Sequence, residues 1–132
     1  MKNTGIIKKF DELGRIVLPM EIRKSKDWNY KDTIEIYTKG NDIILEKVEK
    51  KNLSGGMIRK IDELGRVVIP IEIRNTFMLD EGDGVEVYTE NEKIILRKYY
   101  EGCIYCGSKK KVYKLLEKPI CEKCIEKIKE KI

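Results

Sequence analysis

Residues 5–23 read GIIKKFDELGRIVLPMEIR, and residues 56–74 read GMIRKIDELGRVVIPIEIR. When the chain is shifted by 51 residues against itself, 21 of the 43 positions in 5–47 are identical to those in 56–98, without a gap. Such self-similarity indicates two structural units of one kind. A unit of this size buries too little surface to be stable alone, so the two copies are expected to share a core.

Each copy has the pattern of a strand, a turn, a second strand, a short helix and a hairpin. The DELG segment predicts the turn, because its glycine can adopt a positive φ. Pro19 and Pro70 end the second strands and suit the first position of a helix, where their missing N–H is not needed. Alternation of apolar and polar residues predicts half-buried strands in the hairpins. These strands are predicted at 33–38 with 43–47 and at 84–89 with 94–98.

Apolar positions that recur in both copies are predicted to form the core. They are Ile7, Val17, Ile22, Ile34, Ile36, Ile43 and Leu45, each with its partner 51 residues later. Trp28 stands where the second copy has Leu79, so we expect the tryptophan to pack in the core or at an interface.

The 132 residues divide into a first repeat at 1–48, a linker at 49–55, a second repeat at 56–99 and a tail at 100–132. Charged residues make up 39% of the chain, but 41% hydrophobic residues suffice for small cores. The start lacks the apolar segment of a secretory leader, and no apolar run is long enough to cross a bilayer. A cytoplasmic protein without a membrane partner is therefore expected.

The net charge of +5 is unevenly distributed. Residues 1–48 carry ten basic and eight acidic groups, residues 52–98 seven and nine, and residues 99–132 nine and five. This balance permits a nucleic-acid partner without requiring one, because only a clustered basic face would supply the attraction.

The two copies of DELGR, each followed by a proline and then Glu-Ile-Arg, resemble the AbrB/SpoVT family of bacterial DNA-binding regulators. The likeness covers both repeats and extends to the hairpin strands VEVYT and KIILRK. The resemblance implies a mainly β fold with short helices, in which two AbrB-like repeats interleave their hairpins as a swapped-hairpin β-barrel. Here both repeats lie in one chain, similar to the tandem repeats of MraZ-like relatives. A single-chain pseudo-dimer is favoured, and interleaving between two chains is the alternative.

The resemblance also implies DNA contact at four pairs of equivalent positions. They are Lys8, Arg15, Arg23 and Lys24 in the first repeat and Arg59, Arg66, Arg74 and Asn75 in the second. Guanidinium groups grip phosphates bidentately and read guanine edges in the major groove. Asn75 lacks the charge of Lys24 and the second repeat is net negative, so unequal engagement of DNA by the repeats is expected.

The same arginines have structural interpretations. Arg15 could pair with Asp11 across the turn, as could the equivalent residues of the second copy, and an exposed pair of this kind contributes only about 0–1 kcal/mol. Arg23 could instead interact with the carboxylate of Glu21.

The tail carries four cysteines in the pattern C-x2-C-x14-C-x2-C, which are Cys103, Cys106, Cys121 and Cys124. Two such loops supply four thiolates for one structural Zn²⁺ ion per chain, within a small α+β zinc module. Disulfides would need an oxidising compartment, and a redox CxxC would need a thioredoxin-like setting, neither of which the sequence indicates. The tail is expected to aid self-association, with a second DNA contact by its lysines as the competing interpretation.

The sequence therefore predicts a double-stranded DNA-binding transcriptional regulator that forms homo-oligomers. The chain contains no histidine, and it shows no nucleophile motif and no phosphate-binding glycine-rich loop, so an enzyme with a small-molecule substrate is not expected. The alternative function is a protein-interaction or assembly module, for example an antitoxin-like partner-binding protein.

Overall fold

The computed structural model describes residues 1–48 and 55–132. It forms two compact units, Met1–Tyr99 and Tyr100–Ile132, which are described separately. Of the predicted linker, residues 49–54 lie outside the described residues. None of the helices among the described residues is long and apolar enough to span a bilayer.

Both repeats contain the predicted series of elements. In the first repeat these are β1 (Lys2–Lys9), β2 (Arg15–Val17), α1 (Met20–Lys26), β3 (Thr33–Lys39) and β4 (Asp42–Lys47). In the second they are β5 (Met57–Lys60), β6 (Arg66–Val68), α2 (Ile71–Thr76), β7 (Gly84–Glu90) and β8 (Lys93–Lys98).

The short helices begin one residue later than the sequence predicts. Pro19 and Pro70 occupy the N-cap positions with extended backbone, at ψ 132° and 141°, rather than the first helical positions. Proline favours this boundary because its ring restricts φ. It also has no N–H to donate to a neighbouring strand, so the strand before it ends there. Each helix then buries one isoleucine, Ile22 or Ile73, against the core.

The strands of the two repeats pair with each other across one six-stranded sheet in the order β1-β7-β8-β4-β3-β5. The first strand of repeat 1 lies against the hairpin of repeat 2, and β5 of repeat 2 lies against β3 of repeat 1. The two hairpins meet through β4 and β8. The short strands β2 and β6 form a separate antiparallel ribbon. Each repeat thus supplies strands that the other repeat needs.

One core joins the two repeats and includes most of the predicted apolar positions, with Trp28 only 2% exposed. Four predicted core residues lie outside the core: Ile7 is 42% and Val17 is 39% exposed, and their partners Ile58 and Val68 are only half-buried. Alternation along a strand explains these errors, since Ile16 in β2 points inward and its neighbour must point outward. In β1 the half-buried Ile6 packs on the core instead of Ile7.

The second unit contains a hairpin and one helix. Strands β9 (Val112–Leu115) and β10 (Lys118–Cys121) pair in antiparallel fashion, and α3 spans Glu122–Glu130. Its buried residues are Ile120 and three of the four cysteines, with Val112 and Ile125 packed beside them. The unit therefore has almost no apolar core apart from its cysteines.

Candidate nucleic-acid interface and metal centre

The DELGR turn is built around the carboxylate of its aspartate. One oxygen of Asp11 accepts hydrogen bonds from the backbone N–H groups of Leu13 (2.9 Å) and Arg15 (2.8 Å). Gly14 donates its N–H to the carbonyl of Asp11 at 3.1 Å and has φ +76°, a conformation that glycine adopts without strain. The second turn repeats this geometry around Asp62, with 3.0 Å to Leu64 N and 2.7 Å to Arg66 N.

The arginine of each turn forms an ion pair with the aspartate of the same turn. Nε of Arg15 donates to Oδ2 of Asp11 at 2.6 Å, and Nε of Arg66 donates to Oδ2 of Asp62 at 2.7 Å. Neither guanidinium has a further side-chain or carbonyl partner among residues 1–48 and 55–132. The ion pair that the sequence suggested as a structural role for these arginines is thus observed. It uses only Nε, so the terminal amino groups can still bind another partner.

The two aspartates are more acidic than ordinary carboxyl groups. Desolvation by burial raises the pKa of Asp11, but hydrogen bonds from the backbone and side chain of Arg15 and from Leu13 outweigh it and lower the pKa. The pKa of Asp62 is lowered by the corresponding donors against the same effect of burial. Both carboxylates are therefore ionised near neutral pH and hold the arginine side chains in place.

The register of the β2–β6 ribbon places both turn arginines on one face. Arg15 lies opposite Val68, and Val17 lies opposite Arg66. The middle pair, Ile16 with Val67, is buried in the core, so the flanking residues face outward. In an antiparallel pair, such diagonal neighbours on one face lie roughly 7–8 Å apart.

The helix arginines do not pair with the glutamates that the sequence suggested. Nε of Arg23 donates to the carbonyl of Leu18 at 2.8 Å, and Nε of Arg74 donates to the carbonyl of Ile69 at the same distance. Both side chains are half-buried. Each guanidinium lies against the turn glycine of the opposite repeat.

The remaining predicted DNA-binding residues occupy equivalent places in the two repeats. Lys8 in β1 and Arg59 in β5 are half-buried, and Nη1 of Arg59 donates to the carbonyl of Ile58 at 2.8 Å. Lys24 in α1 and Asn75 in α2 are exposed.

Exposed apolar residues beside the arginines were missed by sequence reasoning. Leu13 and Leu64 at the tips of the two turns are 59% and 65% exposed, and Met20 and Ile71 at the helix starts are 59% and 56% exposed. The sequence does show apolar residues at these positions in both repeats. Core positions show the same pattern, so the sequence alone could not identify these side chains as exposed.

The four cysteine sulfurs converge in the second unit, where all lie within 4.8 Å of one another and could hold a metal ion. The first loop closes through a hydrogen bond from Gly107 N to the carbonyl of Cys103 at 2.8 Å. Cys121 is the N-cap of α3, and its sulfur accepts from Cys124 N at 3.4 Å. Cys103, Cys121 and Cys124 are buried, whereas Cys106 is exposed.

The thiols differ in acidity. Burial raises the pKa of Cys103, but N–H donors of the two loops, including Tyr105, outweigh it and lower the pKa to about 6. Contact with the sulfur of Cys121, together with burial, raises the pKa of Cys124 to about 12. At neutral pH the cluster thus has at least one thiolate ready to bind a cation.

Comparison with known proteins agrees with this architecture. A family described as "Antidote-toxin recognition MazE, bacterial antitoxin" matches residues 7–53 and again residues 58–101. The chain belongs to this MazE/AbrB-type family. The resemblance of its repeats to AbrB/SpoVT proteins is thereby confirmed.

Three proteins from Bacillus subtilis (strain 168) are similar to part of this chain. The chain is 61% identical over 46 residues to the transition state regulatory protein AbrB, covering 35% of this chain and 48% of AbrB. It is 51% identical over 47 residues to the putative transition state regulator Abh, covering 36% and 51%. It is 51% identical over 45 residues to stage V sporulation protein T, covering 33% and 25%. Each match therefore spans about half or less of the relative.

Among solved structures, the solution structure of PHS018 from Pyrococcus horikoshii is similar, with a TM-score of 0.43 and 20% identity. The similarity covers 71% of this chain and 89% of that one.

Proposed function

We propose that this chain is a double-stranded DNA-binding transcriptional regulator and not an enzyme. In this proposal repeats 1–48 and 56–99 close into one swapped-hairpin barrel, and residues 100–132 form a zinc module that promotes homo-oligomers. Membership of the family and the similarity to AbrB and Abh, both named as regulators, support the proposal.

The observation that carries the proposal is the outward pair of turn arginines. The β2–β6 ribbon presents Arg15 and Arg66 on one face, and each is fixed by its own aspartate. A two-stranded ribbon fits the major groove of B-DNA, which is about 12 Å wide. An arginine whose Nε is held by a carboxylate can still offer its amino groups to a phosphate or a guanine.

In this proposal the other predicted DNA-binding residues add to the contact that the turn arginines make. The proposed DNA-binding set comprises Lys8, Arg15, Arg23, Lys24, Arg59, Arg66, Arg74 and Asn75. Each turn ion pair is locally neutral, so basic residues outside the turns, such as Lys8, Lys24 and Arg59, are needed to attract the phosphate backbone. The exposed side chains of Leu13 and Leu64 would contact the sugar or base edges beside the arginines.

Salt-dependent binding to a fluorescein-labelled duplex of mixed sequence tests the proposal. Each neutralised phosphate contributes about 0.9 to the slope of log K against log[salt]. Replacing both Arg15 and Arg66 with alanine should weaken binding and make the slope shallower by about 2.

The matched control removes the same charge from the far end of the sheet. Lys2 and Lys39 are exposed and lie near the hairpin tips, about 20 Å along the strands from the DELGR turns at 3.3 Å per residue. The Lys2→Ala, Lys39→Ala double variant should keep the parent affinity to within about twofold. Equal losses in the two double variants would mean that net charge alone attracts DNA. Parent-like binding without the arginines would remove the basis of the proposal.

The family description favours one further candidate, recognition of a toxin partner. Under that alternative the Arg15→Ala, Arg66→Ala variant would bind the duplex no more weakly than its control. The two functions are thus separated by the same pair of variants.

Zinc is the metal that the cysteine cluster fits best. Four sulfurs around Zn²⁺ at about 2.3 Å form a tetrahedron with edges of about 3.8 Å. The sulfurs of Cys106 and Cys121 are 3.5 Å apart, and all four lie within 4.8 Å. Four thiolates leave no open coordination position, so the ion would be structural.

Native mass spectrometry tests the zinc site. Protein expressed in zinc-replete medium should show one Zn²⁺ per chain. The Cys106→Ser variant should lose the ion, whereas the Ser108→Ala variant should retain it.

A role of the zinc module in self-association is supported by exposed apolar side chains on α3 and just after it. Ile128 is 38% exposed and Ile132 at the chain end is 99% exposed. Sedimentation of the Ile128→Lys variant at several concentrations tests this role, and a parent-like oligomer would exclude α3 from the interface.

A further inference from the structure

The helix arginine of each repeat contacts the DELGR turn of the other repeat. A methyl group built on Gly14 would lie 2.4 Å from Cζ and 2.5 Å from Nε of Arg74. A methyl group on Gly65 would lie 2.3 Å from Cζ of Arg23. The guanidinium groups therefore occupy the space that a side chain at these glycines would need.

Backbone hydrogen bonds complete the link between helix and turn. Nε of Arg74 donates to the carbonyl of Ile69, and Ile69 N donates to the carbonyl of Gly14 at 3.0 Å. In the symmetric arrangement Leu18 N donates to the carbonyl of Gly65 at 2.9 Å. Each turn is thus held from outside its own repeat by one arginine and by the backbone of the residue that directly follows the ribbon strand of the other repeat.

We infer that Arg23 and Arg74 are positioning residues for DNA recognition that act across the repeats: Arg23 orients the turn carrying Arg66, and Arg74 orients the turn carrying Arg15. This inference rests on the proposed DNA-binding function. It assigns the helix arginines a role distinct from that of a simple phosphate contact.

The geometry explains why arginine is needed at these positions. Its Nε is directed to a carbonyl, while its planar guanidinium covers the glycine of the facing turn. A lysine would keep the positive charge but has neither the Nε donor nor the planar group. Lys24, the exposed neighbour of Arg23, makes no such contact and serves as the control.

Double-mutant cycles test the crossed connection with the duplex described above. Arg23→Ala should weaken binding by about tenfold in the parent and in the Arg15→Ala background. In the Arg66→Ala background it should add less than about twofold, because the turn that it orients has already lost its arginine. The mirror cycle should couple Arg74 with Arg15 and not with Arg66. Lys24→Ala should have the same effect in every background.

Two results would overturn the inference. A full effect of Arg23→Ala in both backgrounds would make Arg23 an independent DNA contact. Coupling to Arg15 instead of Arg66 would place its action within its own repeat. If Arg23→Ala does not fold, as judged by thermal melting, Arg23→Lys replaces it. The lysine variant should show the same crossed pattern, and parent affinity of this variant would also overturn the inference.

A measurement without DNA separates this inference from the proposed function. In ¹H–¹⁵N spectra, Arg23→Ala should shift the amides of residues 62–66 more than those of residues 11–15. That result would support the crossed contact even if the turn arginines proved irrelevant to DNA. Larger shifts in 11–15 would overturn the crossed contact even if DNA binding were established.

Discussion

Gly14→Ala should destabilise the first unit for two separable reasons. The first is backbone strain, because φ +76° in the left-handed region costs a residue with a Cβ about 1–2 kcal/mol. The second is displacement of Arg74, whose guanidinium occupies the space of the new methyl group. Arginine is flexible enough to move away, so this second term is the loss of its hydrogen bond to Ile69, up to about 3 kcal/mol for a charged donor.

Gly40→Ala isolates the strain term. Gly40 has φ +60°, and a methyl group there would meet nothing within 4 Å. The equivalent residue of the second repeat, Asn91, adopts φ 52°, so this hairpin position accepts a side chain. We therefore expect Gly40→Ala to lower the free energy of unfolding by about 1–2 kcal/mol and Gly14→Ala to lower it by up to about 5 kcal/mol.

Urea unfolding of both variants, in the parent and in an Arg74→Ala background, measures the two terms. Without Arg74 the extra loss at Gly14 should disappear, and the two glycine variants should then be equally destabilised. Equal losses in the parent background would show that Arg74 contributes nothing to the stability of the turn. An extra loss that survives removal of Arg74 would refute the assignment of that loss to the arginine.

Three further predictions concern metal, acid and charge. Chelation of the proposed zinc ion should unfold residues 100–132, seen as collapse of their NMR amide dispersion, while residues 1–99 keep theirs. The contribution of Asp11 and Asp62 to stability should be present above about pH 4 and lost as the pH falls through their lowered pKa values, so Asp11→Asn, Asp62→Asn should match the parent only in strong acid. Asp42→Lys with Glu46→Lys should lower the urea midpoint, and adding Lys93→Glu with Arg97→Glu should restore it.

The order of elements could be predicted because each element leaves a local signal. The glycine turn, the proline and the alternating hairpin strands are visible in a single repeat, and the second repeat shows the same signals. It was harder to predict which side chains of a short strand point into the core. A three-residue strand such as β2 has no periodicity of its own, and Val17 was placed in the core although Ile16 occupies that position.

The contacts between repeats could not be predicted from local patterns. That Arg74 lies on Gly14 depends on how α2 packs beside the turn of the other repeat, and the two residues are far apart in the sequence. Sequence reasoning therefore suggested only partners near each arginine. It was right for Arg15 with Asp11, where the turn itself brings them together, and wrong for Arg23 with Glu21.

Charge complementarity between the hairpins explains why repeat 1 pairs with repeat 2. Across β4 and β8, Asp42 lies opposite Arg97 and Glu46 lies opposite Lys93, with ion pairs of 2.7 and 3.4 Å. Two copies of repeat 1 paired in this register would place Asp42 opposite Glu46, and two copies of repeat 2 would place Lys93 opposite Arg97.

Exchanging two attractive pairs for two repulsive ones would cost about 1–4 kcal/mol. The identical turns make the two repeats interchangeable in shape, whereas the acidic strand of one and the basic strand of the other make them unequal partners. These charges therefore favour the pairing of one repeat of each kind, which a chain carrying both supplies at a fixed ratio.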